Sequence, residues 1–139
     1  MRNLIFIGIA LIATSCLKKI EEVETANNNI FDPEYAGEQW WVYEDVFMFT
    51  DQNNNTYVRF EIGIPEENAP ELKPPQIDLA VTVNGGNTYY TEASVNYTGN
   101  YKGVVNIFPT GETNFCIDVG VYVEEEGLII NSFSECKAL

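Results

Sequence analysis

From residue 40 onward the chain alternates apolar and polar side chains, and every eight to twelve residues the alternation stops at Gly, Pro, Asn or Asp. A period of two sends successive side chains to opposite faces, so each segment can bury one face as a strand and none suits a helix. Over 57–64, Val58, Phe60, Ile62 and Ile64 fall on one face, with Arg59 and Glu61 on the other. The pattern predicts seven strands at 40–50, 57–64, 77–83, 89–97, 101–108, 115–124 and 128–134. Asp51-Gln52-Asn53-Asn54-Asn55, Asn84-Gly85-Gly86-Asn87 and Thr98-Gly99-Asn100 accept positive φ and read as hairpin turns. Pro65, Pro70, Pro74 and Pro75 remove too many amide donors for a central strand, which makes 65–76 a surface crossover between two sheets. The fold class is therefore all-β: one sandwich of about seven antiparallel strands, occupying 40–139 as a single domain.

The last hairpin carries a test of its own register. If Glu124 faces Leu128 across the loop Glu125-Glu126-Gly127, counting outward sets Cys116 opposite Cys136 and predicts a disulfide. Free buried thiols are the alternative. That register puts Ile117, Val119, Val121 and Val123 on a core face with Ile129 and Phe133, interrupted by Asn131. It also makes the cysteines a hydrogen-bonded pair, whose Cα atoms are wider apart than a direct cross-strand bridge favours. A bulge or splayed strand ends would relieve the conflict.

The N-terminus follows different rules. Arg2 precedes the apolar run Leu4-Ile5-Phe6-Ile7-Gly8-Ile9-Ala10-Leu11-Ile12, which has signal-peptide length and is short for a bilayer span. An ordinary secretory signal or an uncleaved anchor are two readings of that run. With Ala13-Thr14-Ser15-Cys16 at its end, the segment resembles a bacterial lipoprotein precursor, cut before a Cys whose thiol has been acylated. The resemblance implies a signal peptide at 1–15, lipidation (palmitate) at Cys16 and a place in the cell envelope at the outer membrane. Its partner there is the membrane itself, through the acyl chains. Residues 16–39 then read as a lipidated Cys and flexible tether, because Lys18-Lys19, Glu21-Glu22, Glu24 and Asn27-Asn28-Asn29 bury little apolar surface. Lys18-Lys19-Ile20-Glu21-Glu22 is similar in composition to signals that send lipoproteins to the outer cell surface, so the periplasmic and the surface-exposed face both stay open.

A second resemblance lies inside the domain. Val105-Asn106-Ile107-Phe108-Pro109-Thr110-Gly111-Glu112-Thr113-Asn114-Phe115, followed by Ile117, Val119 and Val121, resembles the corner before the penultimate strand of fibronectin type III and other immunoglobulin-like domains. It implies an immunoglobulin-like sandwich, with Phe115 where the family usually has Tyr.

Charge and composition narrow the chemistry. The net charge is −14, with 21 acidic residues against 7 basic ones, so a nucleic-acid surface, which needs clustered Lys and Arg, is disfavoured. The chain contains no His, which excludes Ser-His or Cys-His nucleophile activation and His-ligated zinc within it. Glu44-Asp45, Glu66-Glu67 and Glu124-Glu125-Glu126 are candidates for acid-base work by residue type alone and read as solvated charge. No cofactor is expected apart from calcium: Asp51, Asn53 and Asn55 open like a calcium loop. Thr56 and Ile62 stand where an EF-hand needs Gly and Glu, and an Asn-rich turn explains the same residues.

Trp40 and Trp41, with Tyr43 and the later Tyr89-Tyr90, are candidate aromatic contacts for a sugar or a protein. Neighbours on a strand face opposite ways, so one Trp is expected in the core and the other outside or under the tether. The expected function is a membrane-anchored envelope lipoprotein whose β-domain binds or supports an envelope protein without catalysis. A carbohydrate-binding lipoprotein is the alternative, and an acid-base enzyme the third reading.

Overall fold

The computed structural model describes residues 27–68, 74–96 and 98–139. The expected signal peptide at 1–15, Cys16 and the expected tether as far as residue 26 lie outside the described residues. Seven strands form: β1 (Val42–Thr50), β2 (Thr56–Ile64), β3 (Gln76–Val83), β4 (Thr88–Val95), β5 (Tyr101–Ile107), β6 (Asn114–Val123) and β7 (Leu128–Ala138). Period two was enough to find them, although β7 continues past Ser134 to Ala138. One turn of 3-10 helix, Glu66–Asn68, follows Pro65 in the crossover.

Every pairing is antiparallel, and the spatial order is β1-β2-β5-β4-β3-β6-β7. Strands β3, β4 and β5 are joined by hairpins; β2 lies beside β5 and β6 beside β3, so two Greek keys share the same three strands. Hydrogen bonding joins all seven into one curled sheet, where a sandwich would have two separate sheets. The join is narrow, because the β4–β5 ladder consists of Ser94↔Lys102 and Val95↔Tyr101. The curl brings the edge strands together: Lys137 Nζ on β7 donates to the carbonyls of Tyr43 (2.9 Å) and Glu44 on β1.

The concave side is the core. Phe60, Ile62 and Ile64 from β2, Leu79 and Val81 from β3, and Phe115, Ile117 and Val119 from β6 are fully buried. Burying each such side chain stabilises by about 1.5–3 kcal/mol. Phe115 fills the corner by packing edge-on against Phe60, with centroids 5.3 Å apart, so its contribution is apolar and needs no hydroxyl.

The last hairpin closes one residue earlier on β6 than predicted. Val123 faces Leu128 across the longer loop Glu124-Glu125-Glu126-Gly127, and Val121 faces Ile130. Between Val121↔Ile130 and Val119↔Phe133 the register shifts, as Asn131 and Ser132 stand against the single residue Gly120. This bulge restores the count, so Cys116 meets Cys136 with Cα atoms 3.9 Å apart in a disulfide. Cys116 turns its backbone groups to Asn84 instead, so the cysteines form the close, non-hydrogen-bonded kind of pair. The face assignment changes as well: Ile130 packs on the core, and Ile129 is exposed.

Asn131 takes φ 56°, a left-handed conformation that Asn tolerates better than most residues. Gly120 is required opposite: a Cβ there would sit 2.6 Å from the Ile129 side chain and 3.0 Å from the Ile130 carbonyl. The bulge aims the Asn131 amide at the N-terminal segment. Its Nδ2 donates to the carbonyls of Ile30 (2.7 Å) and Asp32 (2.8 Å), and the Asn131 backbone carbonyl accepts from Trp40 Nε1 (2.8 Å). Ile30 is buried, and Tyr35 packs edge-on against Phe133. The tether expected to stay free as far as residue 39 is therefore docked on the domain from residue 27.

Candidate functional site

The site begins with the place of β3, flanked by β4 and β6. Alternation sends Ile77, Leu79, Val81 and Val83 inward and leaves Gln76, Asp78 and Ala80 on the outer face. Ala80 lies level with Tyr90 on β4 and Gly120 on β6. These two small residues leave room for the rings of Tyr90 and Tyr122, which meet across β3 with centroids 4.6 Å apart and planes at 54°. Ala80 is thereby buried on an outer face, while Tyr90 remains 60% exposed.

Beside the rings is an open groove of about 280 Å³ lined by Gln76, Asp78, Tyr90, Glu92, Tyr122 and Glu124, among others. Asp78 and Glu92 face each other directly across β3 and β4. Like charges in that position are destabilising. Among the described residues no cation pairs with Asp78, Glu92 or Glu124. Arg59, Lys102 and Lys137 are the described cations, and each is held elsewhere.

The outer face of β1, β2 and β5 presents a different surface. Phe49 and Tyr57 stack at 5.5 Å, and Tyr57 meets Phe108 at 5.2 Å, making a strip of three rings that ends in a 69% exposed Phe. Arg59 lies over Phe49, 4.2 Å from the centroid, and its Nε donates to Asn106 Oδ1 at 3.0 Å. Lys102 Nζ pairs with Glu61 at 2.6 Å and Glu44 at 3.4 Å. The hydrogen bond to Glu61, more than the nearby charge, raises the Lys102 ammonium above its ordinary pKa.

The residues singled out from sequence fall into separate places. Trp40, Trp41 and Tyr43 are all buried, so of the two places expected for the second Trp, outside or under the tether, Trp40 takes the latter and no exposed indole remains for a ligand. Strand β1 starts only at Val42, which frees the two indoles from strict alternation, and Trp40 lies beneath the segment that Asn131 holds. Trp41 Nε1 and the Tyr43 hydroxyl are buried with no hydrogen-bond partner among the described residues, and burial pushes the Tyr43 pKa up. Asp51 spends its carboxylate within its own turn. Oδ1 accepts from the amides of Asn53 (2.8 Å) and Asn55 (2.9 Å), and Oδ2 from Asn55 Nδ2 (3.3 Å). The Asn55 amide is the main reason that its pKa is lowered. Among the described residues no group of three or more Cys, Asp or Glu is arranged to hold a metal ion.

Of the groove residues, sequence reasoning had touched Tyr90, as part of an aromatic pair, and Glu124, as part of a charge run. Asp78, Glu92 and Tyr122 were missed. Their alternation phase marks all of them as outward-facing, but the β3–β6 pairing that assembles them joins strands separated by two others in sequence. Comparison with protein-family models, curated proteins and solved structures finds no match to this chain.

Proposed function

We propose that this is a bacterial envelope lipoprotein, anchored at the outer membrane through an acylated Cys16, whose immunoglobulin-like β-domain binds a partner protein without catalysing a reaction. The groove between Tyr90 and Glu92 carries the binding part of the reading. It combines accessible aromatic area with carboxylates that no described cation satisfies. The sheet order supports the immunoglobulin-like assignment, since the narrow β4–β5 join separates β1-β2-β5 from β4-β3-β6-β7, the grouping two facing sheets of such a domain would have. The Ala13-Thr14-Ser15-Cys16 box supports the anchor, and a His-free chain supports a non-catalytic role.

Two measurements test this. Labelled palmitate is expected to enter the protein and to be lost with Cys16→Ser. Affinity purification of the full chain from intact envelopes is expected to recover one stoichiometric protein, and Tyr90→Ala is expected to lose it.

A carbohydrate-binding reading is favoured by the strip Phe49, Tyr57 and Phe108, whose exposed end offers a flat apolar face to a sugar ring. Retention on polysaccharide, abolished by Phe108→Ala and unaffected by Tyr90→Ala, would replace the protein partner with a glycan.

A further inference from the structure

We infer that the Tyr90–Tyr122 groove recognises a basic side chain, Arg or Lys, presented by a peptide segment of the partner protein. The inference rests on the groove being the binding surface proposed above and adds the chemistry of its occupant.

Three features argue for a cation. The first is the direct opposition of Asp78 and Glu92, which costs stability in the unbound domain and is relieved by a positive charge placed between them. The second is the ring pair: an aromatic face within about 6 Å attracts a cation, and two tilted rings offer it a corner instead of a flat wall. The third is found on the same protein. On the opposite face the chain supplies its own cation to an equivalent set of groups, with Arg59 over Phe49 and Lys102 between Glu61 and Glu44. The groove has rings and carboxylates of the same kind, and the described cations are all committed elsewhere.

Shape favours a side chain on a peptide over a free ion. The groove is open and about 280 Å³, roomier than a bare cation fills, and Tyr90 exposes its ring along one wall. An Arg or Lys stem can lie along that ring while its head reaches Asp78, Glu92 and Glu124. Gln76 at the end of the groove can hydrogen-bond the peptide backbone in either direction.

The test uses the detergent-solubilised full chain and a fluorescent hexa-arginine peptide, with a hexa-glutamine peptide as control. Anisotropy should show binding that weakens as salt is added. Tyr90→Ala, which leaves the net charge unchanged, should weaken it by roughly three- to tenfold, and Glu92→Gln by a similar factor. Glu125→Gln and Glu126→Gln, charge changes in the neighbouring β6–β7 loop, should leave it within about twofold. Equal binding to wild type and Tyr90→Ala would overturn the inference, because attraction to an acidic protein at large would then explain the affinity. If hexa-arginine fails to bind, or fails to displace a partner whose capture needs Tyr90, the occupant is not a cation, although the groove remains the binding surface. If capture of that partner also ignores Tyr90→Ala, the groove reading itself falls.

Discussion

The two outer faces of the sheet are built from the same kinds of side chain and reach opposite states. On β1-β2-β5 the aromatic rings and carboxylates are complemented from within the chain, by Arg59 over Phe49 and by Lys102 between Glu61 and Glu44. On β4-β3-β6 two tyrosines and three carboxylates have no described cation, and two of those carboxylates oppose each other. The first face spends its electrostatics on its own stability, whereas the second leaves its carboxylates without a described cation.

That contrast can be broken in order of effect. The bridge Cys116–Cys136 ties β6 to β7 on the side of the acidic groove, and no counterpart exists among the described residues of the other side. Replacing both cysteines with Ser should lower unfolding stability by about 2–4 kcal/mol, read from urea titration, and should loosen amide exchange in β6 and β7 before β1 and β2. Next comes the cation slot. Arg59→Ala should cost about 0.5–1 kcal/mol, while Tyr90→Ala should stay within about 0.5 kcal/mol of wild type. Equal losses would mean that the Tyr90 ring is as structural as the Arg59 site.

Smaller still are the carboxylates, where the sign separates the faces. Glu61→Gln removes a paired charge and should lower stability by roughly 0.2–1 kcal/mol. Asp78→Asn removes an opposed one and should raise it by a similar amount. A loss at both positions would mean that the two faces do not differ in how their carboxylates are balanced.

The smallest effects are those of pH. The Lys102 pKa is raised in the folded protein, so the contribution of its pair is complete below the ordinary value of 10.5 and disappears as pH climbs through the higher folded value. Asp51 behaves in reverse. Its contribution is present above 3.8 and fades as pH falls through its lowered folded value, which exchange at the Asn55 amide should report.

Strands were legible because period two and the turn residues are local properties of the chain. Val58, Phe60, Ile62 and Ile64 took the face that alternation assigned them. The cysteine pairing was legible for a less direct reason: the loop is one residue longer than expected, and the bulge at Asn131 compensates before the register reaches Cys116. Neither half of that cancellation leaves a local signal stronger than an Asn among apolar neighbours. The burial of Trp40 depends on residues 27–39 folding back, a tertiary event that their polar composition argued against. Tyr90 and Tyr122 become partners only when β6 is placed beside β3, and no periodicity within either segment encodes that neighbour.

Asn131 also sets a distance. For a chain held at Cys16 as proposed, the docking of Ile30 and Asp32 leaves about ten residues between the acyl chains and the body, and these span at most about 35 Å when fully extended. Without that clasp the same leash would run to residue 39 and extend about 80 Å. On the proposed anchor, the shorter reach would hold the domain nearer the bilayer and give membrane-bound neighbours a higher effective concentration at the groove than distant ones.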